Sequence, residues 1–253
     1  MNLDESDDWL SRTRVLLGDE AIGRLAHAKV YVIGIGAVGS YAVEGLVRAG
    51  VGKFRLVDFD TFKASNLNRQ LFALHSTLGR HKAQVAAERV LDINPAAEVE
   101  AKTVFAHADT LSGLLSGEPD LVVDAVDSLA PKTEILAFAA ALGIPVFSAL
   151  GAATRLDAGA VRFAPLFEAK GCPLGRLIRK RLRKRQIMGD FWCVYSNEPK
   201  NLKAVRKQEK EEGEYERGRQ RDVLGSVSTL TGIFGLRLAH EAVLRLAAGH
   251  SVR

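Results

Sequence analysis

Residues 29–60, KVYVIGIGAVGSYAVEGLVRAGVGKFRLVDFD, restrict the fold more than any other part of the chain. An apolar run ending at Ile33 reads as a strand, Gly34, Gly36 and Gly39 as a tight turn, the residues up to Ala49 as a helix, and those up to Asp58 as a second strand. Strand, glycine turn and helix in that order form the fingerprint of a dinucleotide-binding unit. The glycines let backbone approach a phosphate, and the first helical turn offers the anion its free N–H groups. An acidic residue about twenty positions past the last glycine is where a ribose diol is held. Asp58 stands there, and Asp60 follows it. A nucleotide is therefore expected at this turn. NAD, FAD and a methyl donor all bind turns of this kind, and a turn with no ligand is the plainer alternative, so the stretch alone leaves the nucleotide open.

The segments that follow keep the alternation of helix and strand. Helix formers over 79–93 stop at Asn94 and Pro95, residues 99–105 alternate like a strand, and a short helix is expected over 109–116. LVVDAV at 121–126 is a continuous apolar run of the kind found in strands covered on both faces. A helix over 130–142 and a strand over 145–150 complete a Rossmann-like α/β architecture, a doubly wound, mostly parallel sheet. Before it, residues 9–25 read as two short helices broken at Gly18, an N-terminal helical extension. After it come an added strand over 159–164, a basic helix over 173–185, a short strand over 192–196, a charged loop over 197–222 expected to be mobile, and a closing helix over 231–248.

Composition removes several classes. A length of 253 residues suits one large α/β domain, or one domain with an appendage. The chain opens MNLDESDDWL, without a basic-then-apolar signal, and no apolar run reaches the roughly 18 residues of a spanning helix. The expectation is a cytoplasmic protein with no membrane segment. Two cysteines, Cys172 and Cys193, are too few for a disulfide scaffold or a four-cysteine zinc site. The net charge of +5 is concentrated: residues 176–221 hold 15 Lys and Arg against seven Asp and Glu, a surplus of eight, which leaves the remainder at −3.

The residues after Asp58 bear on the ligand. SNLNRQ places Asn66, Asn68, Arg69 and Gln70 in the loop leaving the second strand, on the side of such sheets where ligands collect. Lys82 follows at the start of the next helix. An Arg able to grip phosphate with two donors, and a Lys acting as a point charge, suit a triphosphate better than a pyrophosphate already held by backbone N–H groups. Singly, each of these side chains reads more simply as a solvated surface group. Asp127 follows LVVDAV, and a carboxylate at that strand end suits Mg²⁺ bridging phosphates. Asp124, three residues earlier, reads as the alternative ligand or as a buried, satisfied polar group.

In order and spacing, GIGAVG, VDFD, SNLNRQ, GRHK and DAVDS resemble the ubiquitin-activating-enzyme-like adenylyltransferases, the superfamily of the thiamin and molybdopterin sulfur-carrier activators, over about residues 12–150. That resemblance implies ATP and Mg²⁺ as cofactors and adenylation of a carboxylate. The nucleotide-binding set it implies is Gly34, Gly36, Gly39, Asp58, Asp60, Asn66, Asn68, Arg69, Gln70, Lys82, Asp127 and Ser128. Arg12, Arg69, Lys82 and Asp127 would act in catalysis, with Asp58 on the ribose, Asn66, Arg69 and Lys82 on the phosphates, and Asp127 on the metal. Arg12 matches an arginine that reaches the ATP of the partner subunit in a homodimer. The sulfur-carrier activators usually carry two CxxC pairs, which this chain lacks. RTRVLLG at 12–18, NRQLFAL at 68–74, INP at 93–95, DAVDS at 124–128, the Pro173–Lys184 helix and the Ser226 to Gly232 segment are closer to the tRNA threonylcarbamoyladenosine dehydratases, over nearly the whole chain.

This second resemblance implies a single adenylating domain over 1–253: the extension at 1–28, a nucleotide-binding core at 29–150, and a substrate- and tRNA-facing part at 151–253. It also implies ATP-dependent cyclisation of the threonylcarbamoyl carboxylate beside the anticodon, and a link to a cysteine-desulfurase sulfur relay. One departure is that residues 220–224 lack the cysteine some relatives carry before the last helix. Cys193, in FWCVYS, is either a functional thiol or a small buried hydrophobe, the commoner role of a lone cysteine. The basic segment 176–221 favours a polyanion such as tRNA, since phosphate contacts dominate nucleic-acid affinity, and Phe191, Trp192 and Tyr195 are candidates to stack on a base or to fill the core. Activation of the C-terminal glycine of a ubiquitin-like sulfur carrier is the alternative activity. A nucleotide-sensing scaffold and an NAD oxidoreductase stand further off.

Overall fold

In the computed structural model, residues 8–207 and 222–249 are described. The chain runs α1 (Ser11–Leu17), α2 (Asp19–His27), β1 (Lys29–Ile33), α3 (Gly39–Arg48), β2 (Lys53–Val57), α4 (Lys82–Ile93), β3 (Glu98–Lys102), α5 (Leu111–Leu114), β4 (Leu121–Asp124), α6 (Leu129–Ala141) and β5 (Val146–Ala149). It continues through β6 (Val161–Pro165), α7 (Pro173–Lys184), β7 (Phe191–Ser196), β8 (Val205–Arg206), β9 (Val223–Leu224) and α8 (Ser228–Ala247).

Seven strands form one sheet in the order β3-β2-β1-β4-β5-β7-β6. Every pairing is parallel except that of β6 with β7. The expected α/β class holds. The apolar runs are needed because both faces are covered: β4 and β5 are buried at every position. Alternation along β1 sends Val30 and Val32 into a core shared with Leu25, Leu46, Phe234 and Leu238. It sends Tyr31 and Ile33 into a second core with Ile135, Leu136, Ile178 and Leu182. Chain order reverses between β1 and β4, since β2 and β3 extend the sheet to one side and β4, β5, β7 and β6 to the other. The carboxyl ends at that reversal form the crevice where open α/β sheets bind ligands.

Several boundaries shift. α4 starts at Lys82, because Gly79 has φ +79° and His81 is extended. α8 starts at Ser228, three residues before the expected Thr231. The loop expected over 197–222 is corrected in its first part: Leu202–Ala204 makes a 3₁₀ turn, and β8 pairs antiparallel with β9, just beyond the loop, through Val205↔Leu224 and Arg206↔Val223. The β-branched valines at those positions favour extended pairing. Residues 208–221, on which the rest of that expectation falls, lie outside the described residues. The cations of α7 do not surround the helix evenly. Gly175, Ile178 and Leu182 form a buried stripe, and Arg179 donates from its guanidinium to Leu166 O.

Candidate functional site

The glycine turn emerges from β1 at Gly34, whose φ is +92°. A Cβ there would lie 2.9 Å from the carbonyl carbon of Ala125, and one at Gly39 would collide with the Gly34 carbonyl oxygen. These two glycines are required by the turn's own packing against the chain leaving β4. Gly36 differs, since the nearest atom to a Cβ there is Gln70 Nε2 at 4.0 Å. Nothing in the protein demands a glycine at 36, so the space above it suits a close ligand.

Asp58, at the carboxyl end of β2, ties the turn down. Its Oδ2 accepts the Ile35 N–H at 2.7 Å and its Oδ1 the Asp60 N–H at 2.9 Å. Burial pushes the Asp58 carboxyl above its ordinary value, opposed by the charge of Lys82 and by both N–H groups. Lys82, nearly buried at the head of α4, donates to Asp60 Oδ2 at 3.0 Å. Exposed Phe59 lies between the two acids, edge-on to Phe105 with ring centres 4.8 Å apart.

The loop after β2 folds back over this floor. Asn66 is buried and accepts the Lys63 N–H, while its carbonyl receives the N–H groups of Arg69 and Gln70. Arg69 donates to Ser65 O at 2.6 Å and to Asn68 Oδ1 at 2.9 Å. Burial lowers the pKa of this half-buried guanidinium, and the nearby charge of Asp127 acts in the opposite sense. Asn68 Nδ2 reaches across to Ser226 O at 3.2 Å. Gln70 is buried, and its Oε1 has no partner. A buried amide oxygen left unpaired beside Gly36 marks a place where a donor is missing. Asp127 is exposed beyond β4, with Ser128 Oγ at 3.5 Å from its Oδ1.

Among the described residues, no group of three or more His, Cys, Asp or Glu is gathered as a metal cage. Mg²⁺ carried on a triphosphate takes most of its oxygens from phosphate and water and needs one or two carboxylates. Asp127 fits that requirement. Arg12 is exposed on α1.

Three groups escaped the sequence reading. Lys132 and Ser148 enclose Asp124, fully buried, so the alternative metal ligand is a satisfied core carboxylate. Arg155, in the segment after β5, is 2% exposed, donates to Glu198 O and to Gly151 O, and has an unpartnered Nη2. No motif marks Lys132, Ser148 or Arg155, and their positions in the sequence do not separate a buried polar side chain from a surface one. Cys193 is buried, donates to Ala164 O, and burial pushes its thiol up to about 12. A neutral thiol in that state is a poor nucleophile. Phe191 belongs to the core, and half-buried Trp192 stacks on Phe163 at 5.3 Å.

The match to known proteins extends over the segments that carry the glycine turn, Asp58, Arg69 and Asp127. A model of the ThiF family covers residues 10–252. This chain belongs to the ThiF family. Within it, the chain is 35% identical over 188 residues to the tRNA threonylcarbamoyladenosine dehydratase of Bacillus subtilis, covering 74% of each. It is 35% identical over 198 residues to the Escherichia coli protein of the same name, covering 77% of this chain and 72% of that one. The crystal structure of E. coli TcdA in complex with ATP superposes with a TM-score of 0.83 at 29% identity, covering 98% of both chains. That superposition, over 98% of this chain, takes in most of the residues after β5 as well as the nucleotide-binding core.

Proposed function

We propose that this ThiF-family protein is an ATP-dependent tRNA threonylcarbamoyladenosine dehydratase. The observation that carries the reading is the alignment of one crevice with the relatives' chemistry: a turn open for a ligand only at Gly36, beside Arg69, Lys82 and Asp127. In this reading Asp58 would accept from a ribose hydroxyl, Asn66, Arg69 and Lys82 would hold the phosphates, and Ser128 would line the nucleotide site beside Asp127. Asp127 would hold Mg²⁺, which when bound offsets phosphate charge. The carboxylate of the threonylcarbamoyl group attacks the α-phosphorus, and the bond to pyrophosphate breaks. An internal nucleophile of the same substituent then closes the ring on the activated carbonyl, and AMP leaves. The net loss is one water, and no enzymic nucleophile is needed, in keeping with the protonated state of Cys193.

Strands from both sides of residue 150 share one sheet, which supports reading 1–253 as a single adenylating domain. The working unit we propose is a homodimer in the cytoplasm. On α1, Arg12, Val15 and Leu16 share a helical face, and Val15 is 90% and Leu16 82% exposed. Two large apolar side chains bare to water beside an unused arginine support a face that a second copy covers. No helix among the described residues is long and apolar enough to cross a membrane. Activation of a sulfur carrier is the weaker reading: the chain has only two cysteines and no CxxC pair. A sulfur-relay partner stays a secondary proposal resting on resemblance alone.

The deciding measurement is the mass of the modified nucleoside after incubation of the protein with ATP, Mg²⁺ and tRNA carrying linear threonylcarbamoyladenosine. Loss of one water is expected. An unchanged nucleoside alongside adenylation of a carrier's C-terminal glycine would replace this reading with the alternative.

A further inference from the structure

The crevice is built against a buried charge pair that the proposed chemistry does not use. Lys132 and Asp124 are both 0% exposed, with Nζ 2.6 Å from Asp124 Oδ2. Lys132 Nζ also donates to Ser148 Oγ at 3.0 Å and to Asp124 O at 3.2 Å, so its three protons are all placed. Ser148 Oγ donates in turn to Asp124 Oδ2 at 2.8 Å. The network is closed but for one carboxylate oxygen, Oδ1, which accepts the Val126 N–H at 3.1 Å. Val126 immediately precedes Asp127.

A buried ion pair is poor evidence of stabilisation, because apolar residues of similar volume often serve as well. Its value here is directional. Lys132 and Ser148 approach Asp124 through one oxygen and leave the other aimed at the backbone of the turn. Ala125 N–H, beside it, bonds to Ile33 O at 2.8 Å, and the Ala125 carbonyl is the group against which Gly34 is packed. The segment between β4 and α6 is thereby pressed onto the glycine turn. We propose that Asp124, held by Lys132 and Ser148, is a positioning residue whose Oδ1, bonded to the Val126 N–H, fixes the 125–128 turn and so sets Asp127 and Ser128 opposite Arg69. This assignment rests on the dehydratase reading of the same crevice.

The test compares two charge-free variants of the full chain. Asp124→Leu with Lys132→Met and Ser148→Ala removes the acceptor for Val126. Asp124→Asn with Lys132→Met keeps an amide oxygen for it. Wild type is assayed first for water loss from the modified tRNA, so that failure of the dehydratase reading shows itself before any variant is compared. In the triple variant, kcat for AMP release should drop about 100-fold, the scale of a misplacement of roughly 1 Å. Its KM for ATP, its affinity for a fluorescent ATP analogue and its melting midpoint should stay near wild type. The asparagine variant should recover to within about ten-fold of wild-type kcat. A triple variant as active as wild type, an asparagine variant no better than the triple, or KM and melting point falling together with kcat each overturn the assignment. If the triple variant does not fold, Ser148→Ala decides: a lower kcat at unchanged KM for ATP supports the role, and an unchanged kcat overturns it.

Discussion

At the scale of single residues, the three glycines of one turn have separate duties. Gly34 and Gly39 are demanded by packing, whereas Gly36 has open space above it. Gly36→Ala should therefore leave the melting midpoint of the free protein almost unchanged while weakening ATP binding by more than about ten-fold, since one Cβ at a close contact is worth 1–3 kcal/mol or more. Gly34→Ala should destabilise the fold by about 1–3 kcal/mol from its φ of +92° alone, before its clash with Ala125 is added. Calorimetry of the two variants with and without nucleotide separates these outcomes, and equal loss of stability in both would remove the special role of Gly36. The fingerprint named all three positions but not this division, because whether a glycine serves the chain or a ligand depends on what stands opposite it. Asp58 shows the same limit: its place predicted a ribose contact, while its bonds to Ile35 and Asp60 reveal a second task, holding the turn.

At the scale of elements, helices and strands were legible wherever period and punctuation agreed. β1, α3, β2 and α6 follow from apolar pattern and glycine or proline stops, and β4 and β5 from unbroken apolar runs. The β8–β9 ribbon was not legible, since each strand has two residues, too few to show a period. α7 was legible as a basic helix but not as an amphipathic one, because its Gly175, Ile178 and Leu182 stripe is outnumbered by cations. Arg185 is spent on Glu134, and Arg183 lies over the Phe167 ring. Arg176, Lys180, Arg181 and Lys184 remain exposed on the outer face. Lys180→Glu with Lys184→Glu should preserve the fold and the affinity for ATP, yet weaken tRNA binding and flatten its salt dependence, each lost phosphate contact lowering the log–log slope by roughly one. An unchanged slope in filter binding across a salt series would return α7 to the role of a solvated cover.

At the scale of the whole molecule, α1 stands on the surface with no buried residue of its own. If a second copy covers it, Val15→Asp with Leu16→Asp should shift the protein to a monomer in sedimentation and abolish turnover. Mixing inactive Arg12→Ala and Arg69→Ala proteins should then restore part of the activity, because a mixed dimer contains one site with both arginines. Failure of the mixture to recover would place Arg12 outside the catalytic unit. What the amino-acid sequence determined alone was the local grammar: the glycine turn, the alternation of strands and helices, the acids at strand ends and the basic helix, all encoded by spacings of a few residues. Only the tertiary structure decided which strand ends meet. It buried Asp124 against Lys132 and Ser148, eight and 24 positions away, left Asp127 exposed beyond β4, joined Asn68 to Ser226 across 158 positions, and buried Cys193 in the core. Those outcomes depend on desolvation and on contacts between distant segments, which are properties of packed elements and have no signature in the order of neighbouring residues.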